Sequence, residues 1–162
     1  GLVKAADVRS RADMTEFFAA VVAKFGRIDF LVNNAAILRD RSVKNLTDDE
    51  WDAVVDTNLS AVFKVSQTVL PFLQDGGRIV NMASISGVIG FFGQANYASA
   101  KAGVMAFTGV LEIQIAALDP IGVYGAGFLS VESDPGNLDL IASLAIDSAI
   151  FAATRLLVPV TP

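Results

Sequence analysis

The sequence holds 162 residues, 53% of them hydrophobic, which is the size of one domain with a real core. Its net charge of −5, without a long basic run, argues against a nucleic-acid binder. Cysteine and histidine are both absent. That excludes disulfide frameworks, thiolate or histidine metal sites, and every Ser-His-Asp or Cys-His mechanism. Acid–base chemistry is left to Tyr, Lys, Asp and Glu.

In chain order, "GLVKAADVRS" lacks the basic and apolar regions of a signal peptide, so a soluble, cytoplasmic protein is expected. Residues 2–8 read as a short strand entering a loop. Residues 11–26 place Met14, Phe17, Phe18, Val21, Val22 and Phe25 at helical spacing, with Gly26 as C-cap. Residues 28–36 start as a buried strand and end in "NNAA". Residues 47–73 open with Thr47-x-x-Glu50, a capping box, and continue as one long helix. The capping box outweighs the N-glycosylation pattern at 45–47. A turn and a buried strand follow at 76–84, a helix at 96–118, a glycine-loosened strand at 121–129 and a last strand at 154–160. The apolar run 138–160 is interrupted by Asp139, Asp147 and Arg155 and closed by Pro159. It reads as a buried helix and strand, and no membrane span is expected.

Short apolar strands separated by helices predict right-handed crossovers and an α/β fold, with a parallel sheet covered by helices on both faces. No repeat or linker divides the chain, so residues 1–162 are expected to form a single domain. In such sheets ligands bind at the carboxyl ends of the strands, where "NNAA" and "MASIS" fall.

The stretch "NYASAK" puts Tyr97 and Lys101 one helical turn apart, on one face. A lysine ammonium there can stabilise a phenolate or hydrogen-bond a bound ribose. An ordinary alanine-rich helix could carry the same pair. Three companions bear on the choice. Ser84 ends a strand, where a hydroxyl could polarise a carbonyl or simply start a turn. Asn33 and Asn34 end the previous strand, where amides can brace the sheet and line a cofactor site or merely terminate it. Asn58 sits inside a helix, a poor place for asparagine unless its side chain has a task.

With "LVNNAAILRD", "VVDTNLSAVFKVSQTVLPFL", "GRIVNMASISGVIGFFGQANYASAKAGVMAFT" and Asp7-Val8, the chain resembles the short-chain dehydrogenase/reductases. Within that family it is most similar to the 3-oxoacyl-(acyl carrier protein) and acetoacetyl-CoA reductases. The resemblance implies a Rossmann-like doubly wound sheet and hydride transfer between NADP or NAD and a carbonyl, such as a 3-oxoacyl thioester. It implies Tyr97 as general acid or base and Lys101 as the group that lowers the tyrosine pKa and binds the nicotinamide ribose. Ser84 would hydrogen-bond the substrate oxygen, and Asn58 would hold a water that links Lys101 to solvent. Asp7 and Val8 would flank the adenine, and Asn34 and Ala35 the ribose side. A homotetramer or homodimer would form through helices 47–73 and 96–118. Val62, Val65, Val69, Phe72, Val104, Phe107 and Leu111 are candidates for either that interface or the core.

The family's opening glycine-rich turn, which cradles the pyrophosphate, has no counterpart here. The sequence begins near the family's third strand, so the fold is expected to be incomplete at the N-terminus. Residues 126–130 replace the family's Pro-Gly-x-x-Thr pattern with "AGFLS", and the segment 131–139 is short for a substrate lid. The expected explanation is a piece of a complete enzyme; the alternative is a truncated, catalytically silent relative that acts as a structural or regulatory partner.

Overall fold

The structure, a computed structural model, describes residues 1–116 and 122–126. Ser10 starts the first helix: its hydroxyl accepts the Asp13 N–H at 3.2 Å and donates to the Asp13 carboxylate at 2.8 Å. Helix α1 runs Arg11–Phe25 and ends as expected at Gly26, which takes φ +85° and returns its N–H to the Val22 carbonyl at 2.8 Å. Strand β1, Ile28–Asn33, stops three residues short of the expected end.

The long helix expected over 47–73 is four pieces. The capping box forms as expected: Thr47 Oγ1 accepts the Glu50 N–H and Glu50 Oε2 accepts the Thr47 N–H, both at 3.2 Å. It opens α2, Asp48–Val55. A π-helical turn follows at Asp56–Ser60, closed by the Ala61 N–H on the Asp56 carbonyl. Then come α3, Ala61–Val69, and a single 3₁₀ turn at Leu70–Phe72 that contains Pro71. Proline cannot donate to a helical ladder, so the chain leaves the helix there and enters β2, Leu73–Met82. A short helix α4, Ser86–Ile89, was not expected. Helix α5 spans Ala95–Ala116 and strand β3 Gly122–Ala126. The expectations at 138–160 and 154–160 lie outside the described residues.

The three strands are parallel in the order β1-β2-β3, with Asn33 opposite Asn81 and Met82 opposite Ala126. Residues 2–8, expected as a strand, form none, because among the described residues β1 has a partner only in β2. One apolar cluster joins Met14 and Phe18 of α1, Val65 and Val69 of α3, Ile79 of β2 and Leu111 of α5. Val69 and Ile79 are fully buried, each contributing about 1.5–3 kcal/mol by leaving water. On the opposite face of β1, Phe30 and Val32 stay about half-exposed, so the described helices cover one face of the sheet.

Two features revise the reading of α3 and α5. Val62, Val65, Val69, Val104 and Leu111 are buried and belong to the core, which removes them as interface candidates. Among the described residues the large apolar side chains left exposed on these helices are Phe63 and Val110, and Phe63 meets Phe107 edge-on at 6.0 Å between centroids. A buried polar ladder also crosses beneath the strand ends. Asn33 Nδ2 donates to Ser66 Oγ (3.0 Å) and to Asn81 Oδ1 (2.8 Å), and Asn81 Nδ2 donates to Thr108 Oγ1 (3.0 Å). Among the described residues no fully buried side-chain nitrogen or oxygen lacks a partner, as burial requires. Asn33 thus braces the sheet.

Candidate active site

Helix α5 needs close neighbours, and two glycines supply them. A Cβ on Gly87 would lie 2.6 Å from the Ala102 nitrogen, and one on Gly103 would lie 2.7 Å from Leu59 Cδ2. The helix is thereby seated between α4 and the π-turn. Ala100 and Val104 are fully buried on its inner face.

Tyr97 and Lys101 project from the first turns of this helix, and the ammonium lies 5.7 Å from the tyrosine ring centroid. Lys101 is only 4% exposed, and its Nζ donates to the Met82 carbonyl at 2.5 Å. Burial pushes its pKa down from the ordinary lysine value. An ammonium has three donors, and this contact uses one. Because Met82 ends β2, the bond fixes Lys101 at the carboxyl end of that strand, two residues before Ser84. Ser84 is half-buried; its Oγ accepts the Ser86 N–H at 3.2 Å, and its own proton remains available for donation.

Asn58 sits in the middle of the π-turn and is fully buried. Its Nδ2 donates to the Ile37 carbonyl and its Oδ1 accepts the Ile37 N–H, both at 2.8 Å. The visible task of this side chain is therefore a two-point clamp on the loop after β1. A wide turn at a functional position is a recurrent use of π geometry.

The expected cofactor residues divide into three groups. Val8, Asn34 and Ala35 line a groove of about 240 Å³ beside β1, together with Lys4, Thr57 and Val62. Tyr97 and Lys101 are not part of its lining. Asp7 is exposed and also outside it; Arg9 holds the Asp7 carboxyl down to about 2 through hydrogen bonds of 2.8–3.2 Å.

Two residues of the site were not singled out in the sequence. Asn96 is fully buried next to Tyr97. Gln94 accepts from Ser86 Oγ at 2.9 Å and donates to Asp40 at 3.1 Å. The signal for Asn96 was present: asparagine is a poor helix former, and the reasoning that singled out Asn58 applies equally to it. Among the described residues there is no metal-ligating cluster, and no helix is long and apolar enough to cross a membrane.

Comparison with known proteins places these features in context. A family profile described as short chain dehydrogenase matches residues 2–127. The 3-oxoacyl-[acyl-carrier-protein] reductase of Thermotoga maritima is 46% identical over 104 residues, 63% of this chain and 42% of that protein. The acetoacetyl-CoA reductase of an Acinetobacter species is 43% identical over 107 residues, 65% of this chain and 43% of that protein. Among solved structures, a short chain dehydrogenase from Burkholderia cenocepacia in complex with NADP matches with a TM-score of 0.69 and 33% identity. That match covers 74% of this chain and 49% of the other. The chain spans about half the length of the curated relatives it matches. With a profile match over most of its length, a parallel sheet with asparagines at the strand ends and the Tyr97–Lys101 turn, the chain belongs to the short-chain dehydrogenase family.

Proposed function

We propose that the protein carrying this chain is an NADP- or NAD-dependent carbonyl reductase acting on 3-oxoacyl thioesters or a similar ketone. The observation that carries the reading is the buried Lys101 ammonium, tied to the end of β2 and held beside Tyr97. Burying a charge is costly, and a lysine kept dry with two donors to spare fits a polar ligand at this strand end. The similarity to a 3-oxoacyl reductase and an acetoacetyl-CoA reductase supports the substrate class. The NADP-bound relative supports a nicotinamide cofactor.

The residues present fit the nicotinamide-ribose end of such a cofactor. Lys101 would hold ribose hydroxyls with its two remaining donors, Asn34 and Ala35 would line the ribose side, and Val8 would flank the adenine. The reduced nicotinamide, when bound, supplies the hydride. The chain's own groups manage the oxygen. The Ser84 hydroxyl donates to the carbonyl oxygen as negative charge builds on it. The Tyr97 phenol gives its proton to that oxygen, leaving an alcohol and a phenolate, and the nearby ammonium stabilises the phenolate. Asn58 keeps the loop after β1 in place during this step. A dimer or tetramer would use the exposed Phe63 and Val110 of α3 and α5, surfaces of a kind closed by isologous pairing.

The test is a substrate panel of 3-oxoacyl thioesters and simple ketones, run on the full gene product with NADH and NADPH and followed at the nicotinamide absorbance. Turnover with one of the two cofactors is expected. No turnover, with no thermal shift on adding either cofactor, would favour a silent relative acting by association.

A further inference from the structure

Asn96 is fully buried, and each of its polar side-chain atoms has a partner. Its Oδ1 accepts the Tyr97 N–H at 2.8 Å. That N–H lies in the first turn of α5, where the helix itself offers no acceptor. Its Nδ2 donates to the Arg39 carbonyl at 3.0 Å and to the Glu50 carbonyl at 3.3 Å. One amide therefore ties three segments: the start of α5, the loop after β1 and the first turn of α2.

The same loop is fixed at neighbouring points. Asn58 clamps Ile37, Gln94 binds the Asp40 carboxylate, and the Arg41 N–H donates to the Gly93 carbonyl at 2.8 Å. Of these contacts, the one through Asn96 reaches the backbone of Tyr97 itself. A helix start held on one side only can rock, and the phenol would swing with it.

We infer that Asn96 is a positioning residue for Tyr97: its amide locks the first turn of α5, and with it the phenol, to the loop after β1. This rests on the reductase reading above. Displacing a reacting group by about 1 Å can cost on the order of 100-fold in rate. The loss should fall on kcat, because the ammonium of Lys101 and the groove beside β1 remain in place.

The experiment compares four forms of the full gene product: wild type, Asn96→Ala, Asn96→Asp and Thr108→Val. Each is measured for thermal midpoint, cofactor dissociation constant and kcat with a 3-oxoacyl thioester. Thr108→Val removes a buried polar brace that does not touch Tyr97, and so reports what a purely structural loss does. Asn96→Ala is expected to lower kcat about 10- to 100-fold per folded protein, with cofactor affinity within about threefold of wild type. Asn96→Asp keeps the oxygen that accepts from Tyr97, so it is expected to recover part of that loss. Should the alanine variant not fold, the aspartate variant alone must show lowered kcat at unchanged cofactor affinity. If both Asn96 variants lose stability as Thr108→Val does, with kcat unchanged, Asn96 is only a structural staple and the inference is overturned. Inactive wild type would instead overturn the reductase reading, so the two failures are distinct.

Discussion

Polar groups hold this chain together in two different ways on the two sides of β1. Towards α5 they are mainly buried amides, a hydroxyl and an ammonium, Asn58, Asn81, Asn96, Thr108 and Lys101, all less than a tenth exposed and all paired, with one surface pair, Arg41 with Glu50, beside them. Towards the N-terminus they are surface ion pairs, Lys4 with Glu16, Arg9 with Asp7 and Arg27 with Asp29. Exposed pairs contribute little, because water and salt compete for both partners. Buried amides are different in kind. Each leaves a desolvated polar partner behind when removed, at about 1–3 kcal/mol. Geometry is therefore tightly specified where the proposed chemistry lies and loosely specified beside the groove.

Lys101→Met is expected to lower kcat/KM at least about 100-fold, the range for losing part of an acid–base device. Stability should change much less, because loss of the bond to Met82 is offset by relief of a buried charge. Urea unfolding alongside steady-state kinetics would show whether the two effects separate in this way. Next in size, Gly87→Ala places a methyl 2.6 Å from the Ala102 nitrogen and 2.9 Å from the Lys101 carbonyl carbon. Backbone atoms cannot turn aside, so overpacking of about 1–3 kcal/mol is expected, with reduced activity because the strain falls on Lys101. The smallest effect belongs to the other flank. The Asp7 carboxyl is held at about 2, below its ordinary 3.8, so its contribution is complete above pH 4 and is lost as pH falls towards 2. Acid titration followed by amide exchange should loosen residues 7–13 in that window and leave the amides around Asn58 and Asn96 protected. Loss of both together would mean that the two flanks are not distinct.

What the sequence made legible follows from the range of the forces involved. The capping box at Thr47 and Glu50, the Gly26 cap and the Tyr97–Lys101 spacing are local patterns, and all three are present in the structure. Parallel strands ending in "NNAA" and "NMAS" were legible from apolar runs and their order. The π-turn was not, because one extra residue per turn leaves the surrounding hydrophobic spacing almost unchanged; only the misplaced asparagine marked it. The strand expected at residues 2–8 failed for the opposite reason, since a strand depends on a neighbour that local sequence does not contain. The apolar stripes of α3 and α5 were compatible with core or interface. Packing against α1 and β2 decided for the core and left Phe63 and Val110 outside. Tyr97 and Ser84 could be named from sequence, whereas the amide that ties the Tyr97 backbone to the loop after β1 joins residues 57 positions apart.

The central claim is that Tyr97 handles the proton at a carbonyl reduced beside Lys101. Its most direct test is the rate of 3-oxoacyl thioester reduction by Tyr97→Phe in the full gene product, with the preferred nicotinamide cofactor. The substitution removes one oxygen from a half-buried ring, so folding and cofactor affinity should remain near wild type. A fall in kcat of about 100- to 10,000-fold is expected. A phenylalanine variant that turns over at the wild-type rate would contradict it.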